Sequence, residues 1–445
     1  MRFFAYTNIP KTATLLLPGV KLKRWVLMIF IGAILLATGT AIALELTPIH
    51  FVLETISKLA SHVPSHIAAT VFLASGMMFF YLGWKKANST ILDAFLPREK
   101  GQVLEALYKK RMLDKGPRIV VVGGGTGLST ILRGLKTITN NLTAVVTVGD
   151  DGGSSGKLRK EMGVLPPGDI RNCIAALADE EDLVTQLFQY RFAEGGLGGH
   201  SFGNLFLTAL CSITGDMFSA VKESSKVLAI RGKVLPSTLD DMVLVAEMED
   251  GRIIEGESDI PEAKGKIKRL FSKPENPKAL EDAIKAIQAA DLIILGPGSL
   301  YTSVIPNLLI KDISNSIIKS KAHKVYICNI MTQPGETDSY SVADHVEAII
   351  KHAGSKKIME AVIVNRRLPV NLAKKYENFN SFPVVLDEAK VNDLGVRVIK
   401  ATLTEDNEQG LVRHSHKKLA KVIFNIHNKS LESKQVSGAK KCQKQ

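Results

Sequence analysis

The sequence predicts an α/β protein: a Rossmann-like, mostly parallel sheet with helices on both faces, preceded by two transmembrane helices. Three observations carry this. From Arg118 onward, short apolar runs alternate with longer amphipathic stretches, which is the rhythm of strands joined by crossover helices. Several of those runs end in glycine-rich or hydroxyl-rich turns, and ligands of such sheets sit beyond the carboxyl ends of the strands. Ahead of them lie two uncharged apolar runs, Trp25 to Leu44 and Ile67 to Trp84. At about 1.5 Å per residue such runs match a hydrocarbon layer of roughly 30 Å.

In chain order, residues 1–24 form a basic segment, 25–84 the two spans and their short connection, 85–116 a linker, 117–427 the α/β domain and 428–445 a basic tail expected to be disordered. Lys21, Lys23 and Arg24 precede the first span and Lys85, Lys86, Arg98 and Lys100 follow the second, whereas the connection holds only Lys58. Positive charge stays on the cytoplasmic side. The expectation is a multi-pass inner-membrane protein with its large domain in the cytoplasm. Phe79, Phe80, Tyr81 and Trp84 suit a membrane interface. A cleaved signal peptide is the rival for the first run, but no small-residue cleavage site with a polar start follows it, and the second run would need its own explanation. In the linker, Leu104, Leu107, Tyr108 and Met112 fall at helical spacing, and Gly116-Pro117 marks a stop.

The formal net charge is +13 over 445 residues. Part of it is the tail, where Lys429, Lys434, Lys440, Lys441 and Lys444 face only Glu432. These lysines are not interleaved with aromatic residues, so the pattern fits attraction to a membrane surface or a solvated tail rather than a nucleic-acid groove. Cys173, Cys211, Cys328 and Cys442 lack paired spacing, which excludes a zinc motif and favours reduced thiols.

Strands are expected at Ile119–Val122, Ala144–Val148, Lys226–Ile230, Asp241–Ala246, Leu292–Leu295, Lys324–Asn329 and Ala361–Val364. The first ends in Gly123-Gly124-Gly125-Thr126-Gly127, where absent side chains let backbone N–H groups reach an anion at a helix start. A tight turn without a ligand also selects glycine. The dinucleotide fingerprint fails because Leu128 holds its sixth position, and the Walker loop fails for want of a lysine. Leu128, and the lack of a lone ribose-binding acid after the second strand, also disfavour hydride transfer with NAD.

The second strand leads to Asp150-Asp151-Gly152-Gly153-Ser154-Ser155-Gly156. Asp150 and Asp151 are candidate ligands for Mg2+ bridging phosphate oxygens; alternatively the turn binds phosphate with its own N–H groups. In Pro167-Gly-Asp169-Ile-Arg171-Asn172, Asp169 can cap a helix whose first turn carries Arg171 and Asn172, suited to a phosphate or a base edge. His200, Ser201 and Asn204 offer polar groups among the glycines of Gly198-Gly-His-Ser-Phe-Gly-Asn204, though a serine nucleophile here lacks a partner acid. Gly296 and Gly298 clear space ahead of Ser299, Tyr301, Thr302 and Ser303, another anion seat. Asn329, Thr332 and Gln333 follow in a like turn.

Six ordered motifs, Gly123-Gly-Gly-Thr-Gly127, Asp150-Asp-Gly-Gly-Ser-Ser-Gly156, Pro167-Gly-Asp-Ile-Arg171, Gly199-His-Ser-Phe-Gly-Asn204, Gly296-Pro-Gly-Ser-Leu-Tyr-Thr-Ser303 and Met331-Thr-Gln-Pro-Gly-Glu336, resemble the gluconeogenesis-factor (YvcK-like) branch of the 2-phospho-L-lactate transferase (CofD-like) family. The resemblance spans about residues 117 to 427 and leaves the N-terminal region outside. It implies a Rossmann-like domain that binds a UDP-sugar and serves cell-shape and envelope homeostasis on gluconeogenic carbon. For the transferase branch it implies magnesium-dependent transfer from a nucleotide-activated donor. It further implies that Tyr376 and Arg413 contact the nucleotide; the aspartate that usually follows Arg-His is replaced by Ser415. The expected partners are a nucleotide sugar and, from the two apolar runs, the membrane; a second copy of the chain is an option that the residues leave open. Whether any bond is broken is left open by the residues.

Overall fold

In the computed structural model, residues 64–95, 103–179, 181–366, 376, 378–404 and 413–428 are described, with short stretches between 31 and 58. The chain divides into two compact units, residues 1–112 and 113–445. The basic segment 1–24, half of the first expected span and the tail beyond 428 lie outside the described residues.

In the first unit, helix α1 (Ser65–Phe95) covers the second expected span. Leu73, Met77, Phe79 and Phe80 on it are exposed. Among the described residues no single helix is long and apolar enough to cross a membrane. The structure therefore gives the two expected spans no support. Helix α2 (Val103–Asp114) occupies the linker.

The second unit begins with β1 (Ile119–Gly123), α3 (Gly125–Leu135), β2 (Leu142–Val146), α4 (Gly153–Met162), α5 (Gly168–Leu177), α6 (Glu181–Gln189), α7 (Phe202–Thr214), α8 (Met217–Val227) and β3 (Lys233–Pro236). Next come β4 (Val243–Met248), β5 (Ile253–Glu255), α9 (Asp259–Glu262) and β6 (Ile267–Lys273). It continues through α10 (Glu281–Ala289), β7 (Leu292–Leu295), a π-helical turn at Leu300–Val304, α11 (Ile305–Leu309), α12 (Lys311–Lys319), β8 (His323–Ile327), α13 (Val342–Ala353), β9 (Ala361–Asn365), α14 (Glu388–Asp393) and β10 (Arg397–Ala401). A last helix runs over residues 416–428.

The seven-stranded sheet has the order β10-β9-β8-β7-β1-β2-β3, and every pairing in it is parallel. β1 is fully buried because both its edges are paired and both its faces are covered, which is why it reads as an unbroken apolar run. Val120 and Val122 pack into one core and Ile119 and Val121 into another across the sheet. Helix α3 buries Leu128, Ile131, Leu132 and Leu135, the spacing of one helical face. The chain leaves β1 toward β2 on one side and returns to β7 on the other. A crevice opens at the carboxyl ends where the order reverses.

Two readings need correction. Lys226–Ile230 is not a strand: α8, capped by Asp216 accepting from Ser219 N at 2.9 Å, runs through Val227, and the third strand starts only at Lys233. An apolar helix end and a short strand look alike in a four-residue window. The Asp241–Ala246 run does form a strand, β4, but it is the centre of a separate antiparallel sheet, β5-β4-β6. Apolar content does not say which sheet a strand joins.

Candidate functional site

A cavity of about 700 Å³ opens at the carboxyl ends of the strands around this reversal. One wall is the turn after β1. Gly125 has φ +65°, the left-handed region that suits glycine. Gly124 is extended, and a Cβ there would lie 2.4 Å from Asp169 Oδ2. A Cβ on Gly127 would lie 2.5 Å from the Pro297 carbonyl oxygen. The glycines thus bring the turns after β1 and β7 into backbone contact. Asn307 ties them further, its Nδ2 donating to Gly123 O at 3.3 Å and Ser303 O at 2.8 Å.

The opposite wall is the turn after β7, where the π-helical residues Thr302 and Ser303 face the cavity with Pro297, Gly298 and Ser299. Such turns are rare in helices and recur at functional sites. Gln333 Nε2 donates to Ser299 Oγ at 2.6 Å and accepts at Oε1 from Asn329 Nδ2 at 3.1 Å. Tyr376, Phe379, Arg413 and His414 complete the rim. Burial holds the His414 imidazole down at about 4, and among the described residues neither ring nitrogen has a hydrogen-bond partner. Ser415 accepts at Oγ from Lys418 N at 3.3 Å. It thereby caps the last helix, a task serine and aspartate share.

The two adjacent aspartates have different fates. Asp150 lines the cavity and accepts at Oδ1 from Gly152 N at 3.0 Å. Asp151 is turned away: Oδ2 accepts from Glu257 N and Oδ1 from Ser258 N, each at 2.9 Å, and Oδ1 also accepts from Ser258 Oγ. It fastens the loop after β5, and so brings Glu257 to the cavity beside Asp150 and Asp169. Burial, reinforced by Asp150, pushes the Asp169 carboxyl up to about 7. Glu257 is raised by burial and then by Asp150, Asp169, Asp151 and Glu336. Burial also lifts Glu336 to about 7; it accepts from Tyr301 N and Thr302 Oγ1, each at 3.3 Å. The cavity therefore has an acidic flank opposite backbone and hydroxyl donors. Among the described residues no three His, Cys, Asp or Glu side chains converge on one metal position. A magnesium ion carried on a pyrophosphate needs only one or two carboxylates, and Asp150 and Asp169, which line the cavity, are the ones that would hold it.

Of the residues singled out in the sequence, Gly124, Gly125, Thr126, Gly127, Asp150, Asp169, Gly298, Ser299, Thr302, Tyr376 and Arg413 line this one cavity. Gly123 and Gly296 lie behind it, a Cβ on Gly123 lying 3.7 Å from Gly296 Cα. Tyr301 turns inward, its hydroxyl 2.8 Å from that of Tyr340 and its ring edge-on to His352. Gly152 and Gly153 open α4. Ser154, Ser155, Arg171, Asn172, His200, Ser201 and Asn204 form a separate polar network. His200 Nδ1 and Ser154 Oγ are 3.1 Å apart, and Asn204 Nδ2 donates to Ser154 Oγ at 3.1 Å and Ser155 Oγ at 3.4 Å. No carboxylate completes that histidine-serine pair in these bonds. Glu257, Asn307 and Phe379 escaped the sequence reading; none belongs to a glycine-rich motif, and only long-range packing brings them in.

A family model described as 2-phospho-L-lactate transferase CofD matches residues 119–404. The chain belongs to the CofD family. Within it, the Bacillus subtilis protein named gluconeogenesis factor is 51% identical over 316 residues, 71% of this chain and 99% of its own length. A Nostoc sp. relative is 52% identical over 414 residues, 92% of this chain and 91% of its own. That match extends well into the N-terminal region, beyond the span the motifs alone indicated. A Bacillus halodurans crystal structure superposes with a TM-score of 0.68 at 49% identity, covering 69% of this chain and 99% of its own. The Bacillus halodurans chain thus folds with a length that matches only 69% of this one.

Proposed function

We propose that this CofD-family chain is a gluconeogenesis-factor-like protein that binds a UDP-sugar in the 700 Å³ cavity and serves cell-shape and envelope homeostasis on gluconeogenic carbon. The observation that carries the reading is the convergence, from turns about 170 residues apart, of glycine-cleared N–H groups at Gly124–Gly127 and at Gly298–Ser299. Such paired amides seat a pyrophosphate at a helix start. Tyr376 and Phe379 offer aromatic faces for a base, and Arg413 a planar cation for phosphate. The apolar N-terminal runs, shared in part with the Nostoc relative, support tethering at the cytoplasmic face of the inner membrane, close to envelope-precursor synthesis. Isothermal titration of residues 113–445 with UDP-N-acetylglucosamine is the test; absence of heat at millimolar ligand refutes the reading.

The family description and the acidic flank favour a second reading, magnesium-dependent transfer of a phospholactyl-type group. Magnesium on the donor would neutralise charge between its phosphates, while Asp150 and Asp169 hold it and the glycine turns orient the pyrophosphate. Under this reading Asp150→Asn abolishes turnover in a deazaflavin-coupled assay; unchanged turnover removes Asp150 from the chemistry.

A further inference from the structure

A second cavity, of about 620 Å³, opens at the opposite, amino-terminal edge of the sheet, and none of the residues lining it lines the first. Its floor follows from strand register. Val120, Thr143 and Lys233 are partners across β1, β2 and β3, so they stand side by side on one face. One layer further along, Val122, Val145 and Leu235 are likewise partners, and they pack with Ala283 and Ile287 of α10 into one core. The outer row breaks that pattern. A hydroxyl and an ammonium stand where the face of a parallel sheet is ordinarily apolar and covered, and both Thr143 and Lys233 border the cavity.

Two helices wall the gap, each with one stripe. α8 presents Phe218, Lys222 and Ser225, and α10 presents Asp282, Lys285, Ala286 and Ala289. Both sets follow the spacing of a single helical face. The short side chains of Ala286 and Ala289 leave the space between α10 and the strands unfilled, and Phe218, half-buried against the core, gives the other wall an aromatic surface. The charges here do not balance. Arg118 is paired with Asp291 at 3.1 Å, and Lys285 with Glu281 at 3.2 Å and Asp282 at 4.0 Å. Lys222 and Lys233 are exposed and, like the half-buried Thr143 hydroxyl, have no side-chain partner among the described residues. Two ammoniums and a hydroxyl thus remain open to a ligand beside apolar walls.

We propose that this amino-edge cavity is a second small-molecule site, for an organic anion with an apolar or aromatic body whose acidic group is held by Lys222, Lys233 and Thr143. Pockets for small molecules are about 300–1,000 Å³ and combine apolar lining with a few placed polar groups. Inorganic phosphate would leave the apolar walls uncovered, and a neutral hydrocarbon would leave both ammoniums unmet. The site does not rest on the UDP-sugar reading, since its residues take no part in the other cavity.

The test is fluorescence titration of residues 113–445, the compact unit, with anilinonaphthalene sulfonate, an aromatic anion that brightens on leaving water. The expected result is saturable binding of one dye per chain, unchanged by saturating UDP-N-acetylglucosamine and about tenfold or more tighter than that of the uncharged analogue phenylnaphthylamine. Ala286→Leu fills the cavity with a good helix former and abolishes binding. Lys222→Gln combined with Lys233→Gln alters only exposed side chains, keeps the fold and weakens the dye by about tenfold or more. Undiminished affinity in either variant overturns the proposal, as does an absence of saturable binding to the natural sequence or equal affinity for the uncharged analogue. Displacement by the nucleotide sugar also overturns it, by assigning the dye to the first cavity. Should Ala286→Leu lose its cooperative melting, the lysine variant decides.

Discussion

Replacing Gly127 by alanine sets two effects of opposite sign against each other. Gly127 is the third residue of α3, and alanine in a helix interior is worth about 1 kcal/mol over glycine. The new Cβ, however, would stand 2.5 Å from the Pro297 carbonyl oxygen, 2.8 Å from its carbon and 3.0 Å from Gly298 Cα. All three are backbone atoms that no rotamer change can move. To reach ordinary contact the two turns must part by about 0.9 Å, and overpacking of this kind costs roughly 1–3 kcal/mol. The clash wins, with a net loss of about 1–2 kcal/mol and a fall in Tm of about 2 °C per kcal/mol. The same displacement separates the two sets of amides proposed to share a pyrophosphate. Losing one charged hydrogen bond weakens UDP-N-acetylglucosamine by about tenfold or more. Scanning calorimetry and isothermal titration on residues 113–445 read both numbers. A variant with a raised Tm and an affinity within about twofold would show that helix propensity alone acts at this position, and would refute contact between the turns.

Other substitutions probe the acidic flank and the rim. Asp169 is raised from 3.8 to about 7 chiefly by burial, so its contribution to stability is full below the unfolded value and is lost as pH rises through about 7. Asp169→Asn should therefore raise Tm at about pH 8 and lose that advantage by about pH 4; a pH-independent difference contradicts the buried carboxyl. Asp151→Ala releases three hydrogen bonds to Glu257 and Ser258 and should cost about 1–3 kcal/mol in urea denaturation, whereas a loss confined to ligand affinity would return Asp151 to the cavity. Tyr376→Ala, if the ring stacks on a base, removes about 1–3 kcal/mol of binding. That is roughly tenfold or more in Kd by titration, and an unchanged Kd excludes stacking there.

Much of the fold was legible because buried parallel strands advertise themselves. Leu292–Leu295 is a run of four apolar residues bounded by Asp291 and Gly296, and the strand has those limits. β6 (Ile267–Lys273) did not stand out, since its exposed residues Lys268, Arg269 and Lys273 mask the alternation. Among site residues, glycines were readable because few other reasons put four of them at a strand end. Glu257 was not: its place depends on the Asp151 clasp 106 positions away in sequence.

By itself the sequence determined the parallel sheet, the turns at its carboxyl edge and the family, because periodicity and glycine spacing are local properties of the backbone. Only the tertiary structure decided which turns share a cavity and that Asp150 faces it while Asp151 fastens a loop. Those outcomes depend on which atoms compete for the same space and the same hydrogen bonds. That competition arises only once distant segments are packed together.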